Sequence, residues 1–431
     1  MNKRGFVLST TASVAALVTL VGVQIAAPSW AGFRSNPKEV VDEAWQIINR
    51  EYVDGDFNNV DWEQTRRDLL ARDYTTEEEA YNAIRDALGE LDDPYTRFMD
   101  PEQFASMQID TSGELTGVGI QLGAEEETGR LLVVSPIEDS PAFEAGVQSQ
   151  DIIIGIDGTD TEGMDVNGAV NLIRGEIGST VVLTILRGEE EIDFEITRDR
   201  IELQAVRYET HNENGDLVGY IRLTQFSANA SEKMRAAIKD LEVQGAVAYI
   251  LDLRGNPGGL LYSSAEIARL FLNEGGIVST INRQGVQDSI SANGRALTDK
   301  PLTVLVDGGS ASASEILAGA LQDNHRAVLV GTQTFGKGLV QSVHALSGDS
   351  GLAVTIARYH TPSGRDIDHK GIAPDIVTEL SEADLERLSS DRDLVATLAD
   401  PQYAAAVQNL KLQLASRTAQ PQALAGPHNA N

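Results

Sequence analysis

Cysteine is absent from all 431 residues. That excludes disulfides, thiolate metal sites and a cysteine nucleophile together, so each domain must be held by its core alone. Positive charge is scarce: 34 Lys and Arg stand against 65 Asp and Glu, a formal net charge of −31. Such a chain repels the phosphates of nucleic acid, which is excluded as a partner, and gains nothing from charge at an anionic membrane surface. One long apolar run occurs, at residues 14–27, behind the basic start Met1, Asn2, Lys3, Arg4 and ahead of Ser29 and Ala31, small residues at the two positions a signal peptidase reads. Residues 1–31 are therefore expected to be a secretory signal of bacterial type. Left uncleaved, the run would be the one membrane anchor.

What is present reads as ordinary globular protein, with 42% hydrophobic and 23% charged residues in a length that suits two or three domains. Residues 32–111 form a helical region: Val40, Val41, Ala44, Ile47 and Ile48 recur at helical spacing, and 61–71 and 77–88 are further amphipathic segments. A turn at 91–96 interrupts them. Its paired Asp92 and Asp93 lack a third ligand at useful spacing, so the turn is read as structural and no metal is expected. Residues 112–199 are β-rich, with strands at 131–134, 152–156, 181–186 and 192–196 and a helical insert at 166–173. Residues 200–385 alternate strands (218–223, 246–253, 302–306, 327–330, 340–346, 352–359) with helices (230–241, 263–272). This is the α/β class, with sites expected in loops at strand ends. In residues 386–431 an acidic connector beginning past Glu379 leads to a helix near 403–414 and a tail, from Ser416, expected to be disordered.

Chemistry concentrates in residues 306–341. Ser310, Ser312 and Ser314 precede an apolar helical run, and Ser312 with Glu315 spells the S-x-x-E capping box. A hydroxyl at a helix N-terminus also has backbone N–H groups and the positive dipole end beside it, which suit a developing oxyanion. All three serines are candidates on these grounds. A nucleophilic serine needs a base, and the six histidines serve poorly. His325 lies at the far end of the same helical run, roughly 20 Å along the axis at about 1.5 Å per residue. His344, His360 and His369 stand in no recognisable base-plus-carboxylate setting. Lys337, between Gly336 and Gly338 with Phe335, Leu339 and Val340 nearby, is the alternative, because burial lowers a lysine's pKa and makes it a base near neutrality. Two look-alikes fall away. Residues 331–338 fit a P-loop except that Gly338 replaces the magnesium-binding hydroxyl, and a strand follows where a helix is required. Asp252, at the end of an apolar strand, is expected to pair with Arg254, and Asp323 to be a solvated residue at a helix end. No nucleotide or other cofactor is expected.

Three motifs in order resemble a PDZ domain across 112–199: Gly117-Val118-Gly119-Ile120, then Ser140-Pro141-Ala142 followed by Ala145-Gly146-Val147, then Q-D-I-I-I-G-I-D-G from Gln150. Gln150 replaces that family's usual glycine and Asp157 its usual asparagine. The resemblance implies that residues Gly117, Val118, Gly119 and Ile120 cradle a peptide's C-terminal carboxylate while the adjacent strand edge accepts the peptide as an added strand.

The motifs S-A-S-A-S-E-I from Ser310 and F-G-K-G-L-V-Q from Phe335 resemble the carboxyl-terminal processing peptidases, also called tail-specific proteases. These are serine endopeptidases with a Ser-Lys dyad, an inserted PDZ domain and a crotonase-like α/β catalytic core. The resemblance implies Ser312 as nucleophile, Lys337 as general base and Gln341 as the residue that positions the lysine, on the same strand face if both lie on one strand. It also implies an oxyanion hole from Ala313 and either Gly258 or Gly259, in the turn L-R-G-N-P-G-G. Partners would be proteins or peptides with nonpolar C-terminal tails. The location would be the bacterial periplasm or the cyanobacterial thylakoid lumen, since the family includes envelope proteases and the enzyme that matures the photosystem II reaction-centre precursor. A non-catalytic PDZ adaptor for C-terminal peptides is the rival, opposed by the intact set Ser312, Lys337 and Gln341.

Overall fold

The structure, a computed structural model, describes residues 36–419 except 126, 127 and 286, together with the short strand Leu20–Val23. The remainder of the expected export signal, and residues 420–431 of the expected tail, lie outside the described residues. Among the described residues no helix is long and apolar enough to cross a membrane. The chain divides into two compact units, one comprising residues up to 107 and from 205 onward, the other 108–204.

The larger unit is built on the strand Ala248–Asp252, AYILD, which is buried at every position. It pairs in parallel with Asp216–Leu223 on one side and Leu302–Val306 on the other. Val328–Gly331 and Ile376–Val377 extend the parallel ladder, and Val206–Glu213 closes the opposite edge antiparallel. Parallel strands need cover on both faces. Here Tyr249 and Leu251 join one core with the helices Ala230–Gln244, Leu261–Phe271 and Ala313–Asp323. Ala248 and Ile250 join another with Tyr403, Ala406, Val407 and Leu410 of the C-terminal helix Pro401–Ala419.

A second sheet runs antiparallel through Leu339–Ala345, Gly351–His360, Gly276–Asn282 and Gln287–Ser291, with Leu20–Val23 parallel to its first strand and Arg97–Met99 beside Gly351. Against it pack the helices Pro37–Glu51, Trp62–Ala71 and Glu77–Gly89, each started by a capping side chain (Asn36, Asp61, Thr76). Trp45, Trp62, Ile84 and Leu88 share a core with Phe98, Leu352 and Val354. This packing anchors the turn at 91–96 on the sheet, where Thr96 Oγ1 accepts from the Thr355 amide at 3.0 Å.

The smaller unit is a sheet in the order Ile120–Ala124, Leu131–Pro136, Ile152–Ile156, Thr180–Arg187, Glu190–Thr197, with helices Pro141–Ala145 and Val166–Ile173. Its two ends are joined by the antiparallel pair Glu114–Gly117 and Asp199–Glu202.

Some elements differ from expectation. Val206–Glu213 and Gln287–Ser291 are strands with mostly polar, solvent-facing side chains and no apolar signature. The acidic connector contains a helix, Glu382–Ser390, whose capping box joins Ser381 and Asp384. The C-terminal helix continues to Ala419, so Ser416 is helical rather than the start of a disordered tail.

Leu410 is buried under the sheet, while Leu412, two residues on, is 66% exposed. Leu410→Ala is expected to lower the unfolding free energy in urea by ~2–5 kcal/mol, and Leu412→Ala to change it by less than ~0.5 kcal/mol.

Candidate active site

Three loops leave the C-terminal ends of three adjacent parallel strands, at 253–260, 307–312 and 332–338. That edge is where open α/β sheets present their sites.

The second loop delivers the helix Ala313–Asp323, whose N-cap is Ser312 at φ 56°, ψ −112°. An L-residue avoids this region, and holding it there costs about 1–3 kcal/mol. The restraint is Glu315. Its Oε2 accepts from the Ser312 amide at 2.8 Å and from the Lys337 amide at 2.9 Å. Its Oε1 accepts from the Gly336 amide at 2.7 Å and the Thr334 hydroxyl at 2.6 Å. Burial pushes this carboxyl above the usual range, and the four hydrogen bonds to its ionised form pull it back. The expected capping box is present: the Ser312 side chain meets the backbone of Glu315 at N3, and the Glu315 carboxylate accepts from the Ser312 amide.

All three serines are buried. Ser310 Oγ donates to the Leu253 carbonyl and Ser314 Oγ to the Asn256 carbonyl, both at 2.8 Å, so these two hold the loops together. Ser312 is the one at the strained N-cap.

The third loop carries Lys337. Among the described residues its buried Nζ has no hydrogen-bond partner, and it sits 4.4 Å from the centre of the Tyr95 ring. Burial, reinforced by the Arg97 guanidinium, pushes Lys337 down to about 7, against the carboxylates of Asp93 and Glu315. Near neutral pH a large fraction is therefore the free amine, which can accept a proton. The Tyr359 hydroxyl lies between the carbonyls of Ser312 and Lys337, 3.0 Å from the former. The donors a P-loop would turn to phosphate are taken by side chains of the protein itself: Gly336 and Lys337 by Glu315, Gly338 by Asp368.

Gln341 is placed differently from expectation. Lys337 lies in the loop before the strand Leu339–Ala345, and that strand shifts register between Val340 and Gln341. The even spacing therefore does not by itself put both side chains on one face. Gln341 is buried, with Nε2 donating to Thr355 Oγ1 at 3.4 Å and Oε1 left without a partner among the described residues.

In the first loop, Gly258 has φ 109°, and a Cβ added there would lie 3.0 Å from Ser312 Cβ and from the Ala313 amide. At Gly259 an added Cβ would instead strike the Phe226 carbonyl oxygen at 2.4 Å. Gly258 is thus the glycine against the serine. Its N–H meets Asn256 Oδ1 at 2.9 Å, while Asn256 Nδ2 donates to Leu223 and its carbonyl accepts from Ala311. Behind this turn Arg254 joins Asp252 and Asp400, an ion cluster that contains the expected Asp252–Arg254 pair.

Other candidates fall elsewhere. His344 pairs with Glu51, and His369 is exposed. Asp323 is not solvated: its carboxylate accepts from the Ser363 amide and hydroxyl and pairs with Arg365, so it fastens a loop. Among the described residues no group of three or more His, Asp or Glu side chains is disposed to hold a metal. In the smaller unit the Val118 and Gly119 carbonyls accept from Ala142 and Ile137, and Gly119 lies so close to Ser140 that a Cβ would sit 2.2 Å away. Gly117 ends one strand and Ile120 starts the next, Ile120–Ala124, which is an edge of the sheet and is contacted by the helix Val166–Ile173. This is the arrangement that takes an extended peptide as an extra strand. Nothing in the sequence marks Tyr95 or Arg97 as neighbours of Lys337, and Glu315 reads there only as a helix cap.

Lysine labelled with 13C at Cε should give one resonance titrating near pH 7, absent from Lys337→Met. A titration of that resonance above pH 10 would contradict the burial described.

Residues 217–378 match peptidase family S41, and residues 132–187 match the PDZ domain. The chain is 45% identical over 409 residues to a carboxyl-terminal-processing protease of Synechocystis sp., covering 94% of each. It is 41% identical over 360 residues to the chloroplastic carboxyl-terminal-processing peptidase 2 of Arabidopsis thaliana, covering 81% of this chain and 70% of the relative. A solved photosystem II D1 C-terminal processing protease superposes with a TM-score of 0.54 at 34% identity, over 86% of this chain and all of the other. With the helical N-terminal region, the PDZ domain and the α/β core in the same order, the chain belongs to the C-terminal processing proteases, serine-type members of peptidase family S41.

Proposed function

We propose that the protein is an exported endopeptidase that cuts protein substrates near their C-termini, with Ser312 as nucleophile and Lys337 as general base. The observation that carries this reading is the shared carboxylate: one Glu315 oxygen accepts from the amides of both Ser312 and Lys337, beside a lysine pushed down to about 7. Neutral Lys337 Nζ takes the Ser312 proton as Oγ bonds to the substrate carbonyl carbon. The oxygen that becomes negative is held by the N–H groups of Gly258 and Ala313, for which Gly258 must release Asn256 Oδ1. As the peptide C–N bond breaks, the Lys337 ammonium returns its proton to the leaving amine. Water, deprotonated by the same lysine, then frees Ser312 from the acyl group. Gln341, buried and bonded to Thr355, would be the residue that positions the lysine, as the family resemblance implies.

The PDZ domain supplies the address. The 117–120 loop would receive the tail's carboxylate, and the edge strand Ile120–Ala124 its backbone, with nonpolar end residues against the partly buried Ile120 and Leu122. The basic start and apolar run support export to a periplasm or thylakoid lumen. The photosystem II D1 protease among its structural relatives supports the carboxyl-terminal extension of a precursor protein as the substrate.

Ser312→Ala should reduce cleavage of a peptide with a nonpolar C-terminus by at least ~10³-fold. Ser314→Ala should keep turnover while losing about 1 kcal/mol of stability with its hydrogen bond. Equal cleavage by wild type and Ser312→Ala, or peptide binding without turnover in the wild type, would favour the adaptor instead. Because the base works as the free amine, kcat/KM should rise with pH through about 7, and a profile flat from pH 5 to 9 would contradict the role of Lys337.

A further inference from the structure

The turn that the sequence presents as plain structure, residues 91–96, ends against the lysine. Asp93 folds it by accepting from the Tyr95 amide at 3.0 Å and the Thr96 hydroxyl at 2.7 Å. Thr96 then fastens it to Thr355, on the strand that also supplies Gln341's partner. Tyr95 is left with its ring face toward Lys337 Nζ, 4.4 Å from the ring centre, well inside the ~6 Å range of cation–π attraction. No hydrogen-bond acceptor among the described residues meets that nitrogen, so the ring face is the contact the structure gives its polar end.

We propose that Tyr95 is a positioning residue of the peptidase reaction: its ring face is the seat of the Lys337 side-chain nitrogen, keeping it in one place and shielding it from water without tying it down by a hydrogen bond. A base that must take a proton from Ser312 and give it to a leaving amine is better held by an aromatic face than by an acceptor, which would compete for that proton. The ring acts on both protonation states. Its bulk keeps water off the nitrogen and so favours the amine, while its electron-rich face favours the ammonium. Other charges around the nitrogen come from four elements. Arg97 and Asp93 belong to the turn and its strand, Glu315 to the nucleophile helix, and Asp368, whose charge acts on Tyr95, to the loop after Gly351–His360. The Tyr359 hydroxyl fixes the Lys337 backbone from that last strand. None of these places an acceptor on Nζ, so the ring remains its neighbour in either state.

This inference rests on Lys337 being the base, and the experiment separates the two. Tyr95 is replaced by phenylalanine and by phenylalanines carrying one, three and five ring fluorines, in the full-length protein. The series keeps the shape and burial of the ring while draining its face of electron density, so each variant folds as Tyr95→Phe does. The lysine midpoint is read twice, from the acid limb of kcat/KM on a tail peptide and from the 13Cε resonance of Lys337. Draining the face removes attraction for the ammonium only, so both midpoints should fall stepwise, by half a pH unit or more from none to five fluorines. Midpoints unchanged across the series would overturn the role of Tyr95. Cleavage surviving Lys337→Ala would overturn the reading of Lys337 itself, whatever the fluorines do to the resonance.

Discussion

A single buried carboxylate organises this enzyme. Glu315 receives four hydrogen bonds, and they arrive from two loops at the ends of different strands. Neither loop has a reason of its own to adopt its shape: one holds Ser312 at a φ an L-residue resists, the other threads Lys337 between two glycines. A charged group without water is costly unless every lone pair is used. The carboxylate meets its own need by fixing both amides, so the desolvation that threatens it is what makes the geometry rigid. Loss of any one donor would leave the others bonded to an ion with less reason to stay charged, which is why the site is best understood as a unit.

The same logic recurs one layer out. Arg254 lies beneath the glycine turn, paired with Asp252 at the end of the central strand and Asp400 at the start of the C-terminal helix. The C-terminal helix therefore does more than cover the sheet, since it supplies a charge that the turn next to Ser312 depends on.

Much of this was legible in the sequence, and the limits follow from physics. Ala248–Asp252 and Leu302–Val306 announce themselves because strands covered on both faces must be apolar throughout. Val206–Glu213 and Gln287–Ser291 do not, because an edge strand facing solvent carries no such signature. The three serines are indistinguishable along the chain. What separates them is that the Ser310 and Ser314 hydroxyls are spent on the carbonyls of Leu253 and Asn256 while Ser312 sits at the strained N-cap, a fact of tertiary packing. Counting residues from Lys337 to Gln341 misleads because one lies in a loop and a bulge follows. Tyr95 is the deepest omission, since nothing local marks a residue in an Asp-Pro turn as the neighbour of a lysine in the last third of the chain.

The bond from Thr96 to Thr355 spans 259 residues of sequence, and the PDZ domain is inserted between its ends. Contacts of such separation form late, because the loop between them must be closed first. During biosynthesis the first helices must wait for the second sheet, while the inserted domain, whose contacts are its own, is free to fold alone. Ser312, Lys337 and Tyr95 are thus brought together only after most of the chain has been made. Because Thr355 holds the turn that carries Tyr95, the complete site cannot be assembled before that much of the chain exists, a delay set by topology alone.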